Sequence, residues 1–135
     1  MNQLNLPVEE FTTPNPITAT EDATVDDLAR LMKEHGIRHL PIVRNAQVVG
    51  IISDRDLRVV AALETQEKRL VQAGDIMARD PVTVNSEATL DEVAFEMSDR
   101  KIGSVIVNEG DKFLGIFTVT DALNALIEIT RSARQ

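Results

Sequence analysis

Two segments of the chain set a hydroxyl three residues ahead of a carboxylate, straight after a short apolar run: Gly50-Ile51-Ile52-Ser53-Asp54-Arg55-Asp56 and Gly115-Ile116-Phe117-Thr118-Val119-Thr120-Asp121. On the first turn of a helix, residues i and i+3 project together from an end where backbone N–H groups lack partners. An ionised carboxylate accepts from two donors at once, which suits the vicinal 2′ and 3′ hydroxyls of a ribose. The hydroxyl and the positive helix end, in turn, favour phosphate. The same spacing also describes an ordinary N-cap followed by a first-turn acid, and on spacing alone that plainer reading is the stronger one.

Other chemistry finds few residues to carry it. The chain has no cysteine and two histidines, His35 and His39, which removes thiolate nucleophiles, disulfides and imidazole-rich metal centres. No glycine-rich phosphate loop and no Ser-His-Asp set is present, so the sequence reads as a non-enzyme. His35 falls at a helix end facing solvent. His39 opens a strand before Leu40-Pro41-Ile42-Val43 and fits a half-buried structural role as well as a ligand contact. The acid pairs Asp26-Asp27 and Asp91-Glu92 open helices and serve the dipole rather than an acid/base or metal dyad, and Met32 and Met97 fill the core.

Composition narrows the class further. At 43% apolar and 27% charged residues, the 135-residue chain matches folded soluble domains and not disordered ones. Its 14 basic against 22 acidic residues give a formal charge of −8, and it has no Tyr or Trp; both argue against a nucleic-acid platform. The N-terminus MNQLNLPVEEF lacks the basic start and apolar stretch of a signal peptide, and no apolar run approaches membrane-spanning length. A cytoplasmic protein without membrane contact is expected.

The two hydroxyl–acid segments are parts of a duplication. Residues 16–56 align without a gap on residues 81–121 at an offset of 65, with 11 identities over 41 positions, among them Pro16/Pro81, Thr18/Thr83, Thr24/Thr89, Met32/Met97, Gly50/Gly115 and Asp56/Asp121. The approach segments match loosely too, Val8-x-Glu10-Phe11 with Ala73-x-Asp75-Ile76. The boundaries read as an N-terminal segment at 1–15 leading into repeat 1 (8–64), a linker (65–72), repeat 2 (73–130) and a tail (131–135). Neither half is large enough to bury a good core alone, so the two are expected to pack about a pseudo-twofold axis.

Each repeat runs strand, helix, strand, strand, helix. Val25, Leu28, Ala29 and Met32, and again Leu90, Val93, Ala94 and Met97, follow helical spacing. Thr24-x-x-Asp27 and Thr89-x-x-Glu92 predict capped starts; Gly36 predicts a stop, with Lys101 as its equivalent. Two β-rich runs around Arg44-Asn45-Ala46 and around Glu109-Gly110-Asp111 predict hairpins. Closing helices carry Leu57, Val60 and Ala61, then Leu123, Leu126, Ile127 and Thr130. The fold class is α/β (α+β): per repeat, a three-stranded sheet begun by a strand at Thr18 or Thr83, with two helices on one face. Residues 65 to 80 form the connection, with a short helical turn at Asp75-Ile76-Met77.

This order of motifs, from about Val8 to Ile129, resembles the tandem cystathionine β-synthase (CBS) domain pair, or Bateman module. The resemblance rests on the Pro-x-Thr opening, the Thr-capped helix, Ile37-Arg38-His39-Leu40-Pro41-Ile42-Val43, and Gly-Ile-Ile-Ser-Asp-Arg-Asp with its partner Gly-Ile-Phe-Thr-Val-Thr-Asp. It implies a regulatory module whose clefts between the repeats bind AMP, ADP, ATP, S-adenosylmethionine or a related adenosyl compound. Carried over by position, Asp56 and Asp121 hold riboses, Ser53 and Thr118 sit at ribose or phosphate, and the Thr18 and Thr83 strands face adenine. Arg38 and His39 fall where such modules place phosphate-binding side chains. It further implies a homodimer and a regulated protein partner of unknown identity.

The repeats are not equal. Arg38, His39, Pro41 and Arg55 become Gly103, Ser104, Ile106 and Thr120, and the net charge falls from −2 over 16–56 to −5 over 81–121. Phosphate is therefore expected to prefer a site built with Arg38 and Arg55. The competing function is a dimeric interaction scaffold with empty or vestigial clefts. Retained Ser/Thr-x-x-Asp in both repeats favours binding; loss of the Arg-His pair in the second favours the scaffold.

Overall fold

The computed structural model describes residues 5–134; residues 1–4 of the expected N-terminal segment and Gln135 of the expected tail lie outside the described residues. In chain order the elements are a 3₁₀ turn (Val8–Phe11), β1 (Thr13–Pro14), α1 (Val25–His35), β2 (His39–Arg44), β3 (Gln47–Ser53), α2 (Asp54–Ala61), α3 (Thr65–Leu70), α4 (Ala73–Ile76), β4 (Ala78–Arg79), β5 (Thr83–Asn85), α5 (Leu90–Arg100), β6 (Ser104–Glu109), β7 (Lys112–Thr118) and α6 (Val119–Ala133). The described residues divide into two compact units: a first, 16–81, and a second made of 5–15 with 82–134. Repeat and unit are thus different divisions of the chain. The segment that opens each repeat is built into the unit made mostly by the other.

In the first unit, β2, β3 and β4 form an antiparallel sheet. Its core gathers Val25, Leu28 and Met32 from α1, Leu40 and Ile42 from β2, Ile52 from β3, Leu57 and Val60 from α2, and Ala73 and Met77. Leu28, Leu40, Ile42 and Ile52 are fully buried, and each such side chain contributes about 1.5–3 kcal/mol relative to exposure. Ala29 and Ala61, expected on the apolar stripes, are exposed at their margins. The tight hairpin turn puts both Asn45 and Ala46 at positive φ, 51° and 64°, the backbone that matches strand twist in a two-residue loop.

The second unit has a four-stranded sheet in the order β1-β7-β6-β5. Val8 joins Val93, Met97, Val105, Val107 and Phe117 in its core and is fully buried, so the N-terminal segment is a packed part of this unit. A register shift falls between Ile42 and Val43 in one hairpin and between Val107 and Asn108 in the other, so the irregularity is duplicated along with the sequence.

Three expectations need correction. Thr18 is not in a strand: its neighbour Ala19 makes an isolated parallel bridge to Ile42, whereas Thr83–Asn85 is a true parallel strand against β6. The cause is Pro41. In the second unit the Ile106 N–H donates to the Val82 carbonyl at 2.9 Å, and the equivalent rung in the first would need an N–H that Pro41 lacks. Second, Thr89 holds the N-cap position of α5 but its side chain makes no capping bond; the Leu90 N–H donates instead to the Leu6 carbonyl at 2.7 Å. Third, the connection contains α3, a helix with no buried residue and therefore no apolar stripe to announce it. Elsewhere the caps hold: the Asp27 N–H donates to Thr24 Oγ1 at 3.1 Å, and Gly36 and Lys101 both end their helices at positive φ, 62° and 56°.

Candidate functional site

Each hairpin hands its last strand straight to a helix, and the hydroxyl–acid pair sits at that junction. In the first unit the Asp56 N–H donates to Ser53 Oγ at 3.3 Å while the Ser53 N–H donates to Asp56 Oδ2 at 2.9 Å. In the second the Asp121 N–H donates to Thr118 Oγ1 at 3.3 Å and the Thr118 N–H to Asp121 Oδ2 at 2.9 Å. Both are reciprocal capping boxes. The plainer reading of the spacing is therefore realised in space, yet it engages only one carboxylate oxygen with the backbone and leaves the other carboxylate oxygen to meet something else.

Around the first junction the structure brings together most of the residues singled out from the sequence. His39 lies opposite Ser53 across the β2–β3 ladder, and the Asp54 N–H donates to the Arg38 carbonyl at 2.9 Å, which ties Arg38 to the start of α2. Arg38 and Arg55 are exposed, and among the described residues neither guanidinium makes an ion pair. Thr18 reaches the same sheet only through Ala19, whose N–H donates to the Pro41 carbonyl at 3.1 Å.

His39 is half-buried, and burial pushes its pKa below the ordinary value of 6.5, against the pull of Asp54 and Asp56 and with help from Arg38. The imidazole is accordingly neutral at pH 7, and the standing cations here are the two arginines. Asp54, which the sequence reading passed over, is thus part of the electrostatics of the site; it also meets Arg58 at 3.5 Å.

Around the second junction, Ser104 lies opposite Thr118, and Thr83 lies opposite Ile106 on the far side of β6. The Val119 N–H donates to the Gly103 carbonyl at 3.1 Å, repeating the Arg38–Asp54 link without its guanidinium. Here the structure adds a residue the sequence reading missed. The Thr13 hydroxyl donates to Asp121 Oδ1 at 3.3 Å. Extending the 65-residue offset into the approach segments pairs Thr13 with Ala78 and was the available signal.

A cavity of about 250 Å³ in the first unit lies elsewhere, lined by Thr24, Val25, Asp26, Thr65, Lys68 and Arg69, and holds none of the candidate ligand-binding residues. Among the described residues no group of three or more His, Asp or Glu is placed to hold a metal, and no helix is long and apolar enough to cross a membrane.

Comparison with known proteins fits this geometry. A candidate acetoin utilization protein (AcuB) from Vibrio cholerae superposes with a TM-score of 0.86 at 31% identity, over 97% of each chain. CBSX2, solved in complex with AMP, gives 0.81 at 27% identity over 93% of this chain and 98% of that one. The CBS domain pair of protein MJ0100, solved with 5′-methylthioadenosine and S-adenosyl-L-methionine, gives 0.79 at 28% over 98% and 100%. Among curated relatives, the inosine-5′-monophosphate dehydrogenase of Korarchaeum cryptofilum is 33% identical over 114 residues, covering 84% of this chain but only 23% of that enzyme's length. The CBS domain profile matches twice, at residues 8–62 and 73–128, and the chain belongs to the CBS domain family, of which it carries two tandem copies.

Proposed function

We propose that the chain is a regulatory module that binds an adenosine-containing ligand and acts in the cytoplasm on a protein partner. The observation that carries this reading is the pair of strand-to-helix junctions. Each presents a carboxylate with one oxygen held by the helix cap and the other outside the cap, an acceptor set suited to a ribose diol. The solved relatives with AMP, and with S-adenosyl-L-methionine and 5′-methylthioadenosine, support the ligand class. AMP, ADP, ATP and S-adenosylmethionine are the candidates.

Calorimetric titration with those four ligands and NAD(H) tests the reading. The chain has no Trp, Tyr or Cys, so it barely absorbs at 280 nm and any retained adenine dominates the spectrum near 260 nm. Heat from at least one adenosyl ligand is expected. No heat from any of them, with only weak Phe bands in the spectrum, would promote the dimeric scaffold.

Phosphates prefer the first junction in this proposal, because Arg38 and Arg55 are exposed there and make no ion pair among the described residues, while Gly103 and Thr120 replace them in the second repeat. Arg38→Ala and Arg55→Ala should each weaken ATP or ADP by about 5- to 10-fold and adenosine hardly at all. The loss should shrink with added salt, since these charges are exposed. Equal losses for adenosine and ATP would show that the arginines do not meet phosphate.

The module also forms a homodimer in this reading. Leu123, Leu126 and Ile127 on α6 are 54%, 57% and 45% exposed, an apolar face that a soluble monomer seldom leaves uncovered. Light scattering at micromolar concentration should give twice the chain mass of 14.9 kDa; a single-chain mass would refute it.

A further inference from the structure

We propose that Thr13 is a positioning residue for the Asp121 carboxylate, making the docked N-terminal segment part of ligand recognition at the second junction. The inference rests on Asp121 holding a ribose.

Its basis is a difference between two otherwise equivalent places. Asp121 is held at both oxygens: Oδ2 accepts from the Thr118 N–H at 2.9 Å and from the Thr118 hydroxyl at 3.1 Å, and Oδ1 accepts from the Thr13 hydroxyl at 3.3 Å. Asp56 is held at Oδ2 alone, by the Ser53 N–H at 2.9 Å, and among the described residues nothing donates to its Oδ1. The backbone does not explain this. Thr13 faces Ile116 across β1–β7 just as Ala78 faces Ile51 across β4–β3, so the short edge strand sits in the same register in both units. The side chain does explain it, because Ala78 has no hydroxyl to offer.

A ribose diol needs both carboxylate oxygens in one orientation at the same time. Donors at both oxygens fix that orientation before the ligand arrives; Oδ1 keeps a second lone-pair site with which to accept from ribose, and Oδ2 offers one when the Thr118 hydroxyl turns to donate elsewhere. Asp56 must give up its freedom of rotation when the ligand binds; Asp121 has already done so.

The donor is also conditional. Thr13 is in place only while β1 pairs with β7, with Val8 buried and its N–H donating to the Ala88 carbonyl at 2.8 Å. Linkage is reciprocal: if docking of the segment improves ligand affinity at Asp121, the ligand tightens docking of the segment by the same factor.

The test uses the full chain with Asp56→Asn as background, so that binding reports the Asp121 junction, and with AMP and S-adenosylmethionine as probes. Adding Thr13→Ala should weaken the bound probe about 3- to 10-fold, and Thr13→Ser should restore it. In hydrogen–deuterium exchange, the probe should slow the amides of residues 5–15 when Thr13 or Ser is present and not when Ala is. Unchanged affinity and unchanged ligand-linked protection in Thr13→Ala, with only a lower melting temperature, would reduce Thr13 to a structural residue. If Asp121→Asn loses affinity while Thr13→Ala does not, this inference falls and the proposed function stands. If the unmodified chain binds neither probe, both fall together.

Discussion

Asp56→Asn and Asp121→Asn should each lower affinity for the adenosyl ligand at their own junction by about tenfold to somewhat over a hundredfold, equivalent to roughly 1.5–3 kcal/mol for hydrogen bonds to a charged group. Asparagine keeps the shape and one carbonyl oxygen, but offers the ribose a neutral acceptor and an amide donor in place of two anionic acceptors. That remaining oxygen can still take the cap N–H that Oδ2 accepts at 2.9 Å in both units, so the helix start survives. Stability should therefore fall by no more than about 1 kcal/mol, the ordinary worth of a cap. Titration calorimetry and thermal denaturation of the same samples separate the two effects. Variants that melt a little lower yet bind as the parent chain would assign both carboxylates to capping alone.

The largest effect on stability is expected from Gly115→Ala. Strand β1 passes so close to β7 that an added Cβ at Gly115 would overlap the Thr13 carbonyl oxygen and stand 2.9 Å from Thr12 Cγ2 and 3.0 Å from the Thr13 carbonyl carbon. Backbone cannot swing aside as a side chain does, so β1 must lift from the sheet edge. We expect about 3 kcal/mol, the upper part of the usual range for overpacking, and a fall in Tm of about 10 °C. Gly50 is the control. A Cβ there meets chiefly the Met77 thioether, a flexible side chain, with the Ala78 carbonyl at 3.0 Å, so Gly50→Ala should cost about 1 kcal/mol. Equal melting temperatures for the two variants would mean that β1 is not held tightly at this edge.

What could be read from the sequence follows the range of the forces involved. The cap at Thr24, the stop at Gly36, the hairpin turns and the capping boxes at Ser53 and Thr118 are decided within a few residues, and their signals are correspondingly local. The duplication carried those signals twice. The two-residue edge strands β1 and β4 have no periodicity of their own and exist only by pairing with strands remote in sequence. The strand expected at Thr18 does not form because Pro41, which stands where the second repeat has Ile106, has no N–H to donate across the sheet, an effect that only the pairing of distant segments exposes. At the site, the hydroxyl–acid pairs were legible because each is closed within four residues, whereas Arg38 and His39 entered as candidates only through the segment that carries the family resemblance. Thr13 was not legible, because its partner Asp121 is 108 residues away.

That separation has a consequence for how the molecule is made. The first unit is one continuous stretch, so its core can close while later residues are still being added at the ribosome. The second unit needs the earliest described residues and the latest ones. Its edge strand emerges ahead of the first unit, with Val8 bare of the neighbours that will bury it, and waits for β7 to follow. The seam at Gly115 therefore closes only after the whole first unit has been made, and the segment that leaves the ribosome before that unit finds its place after it.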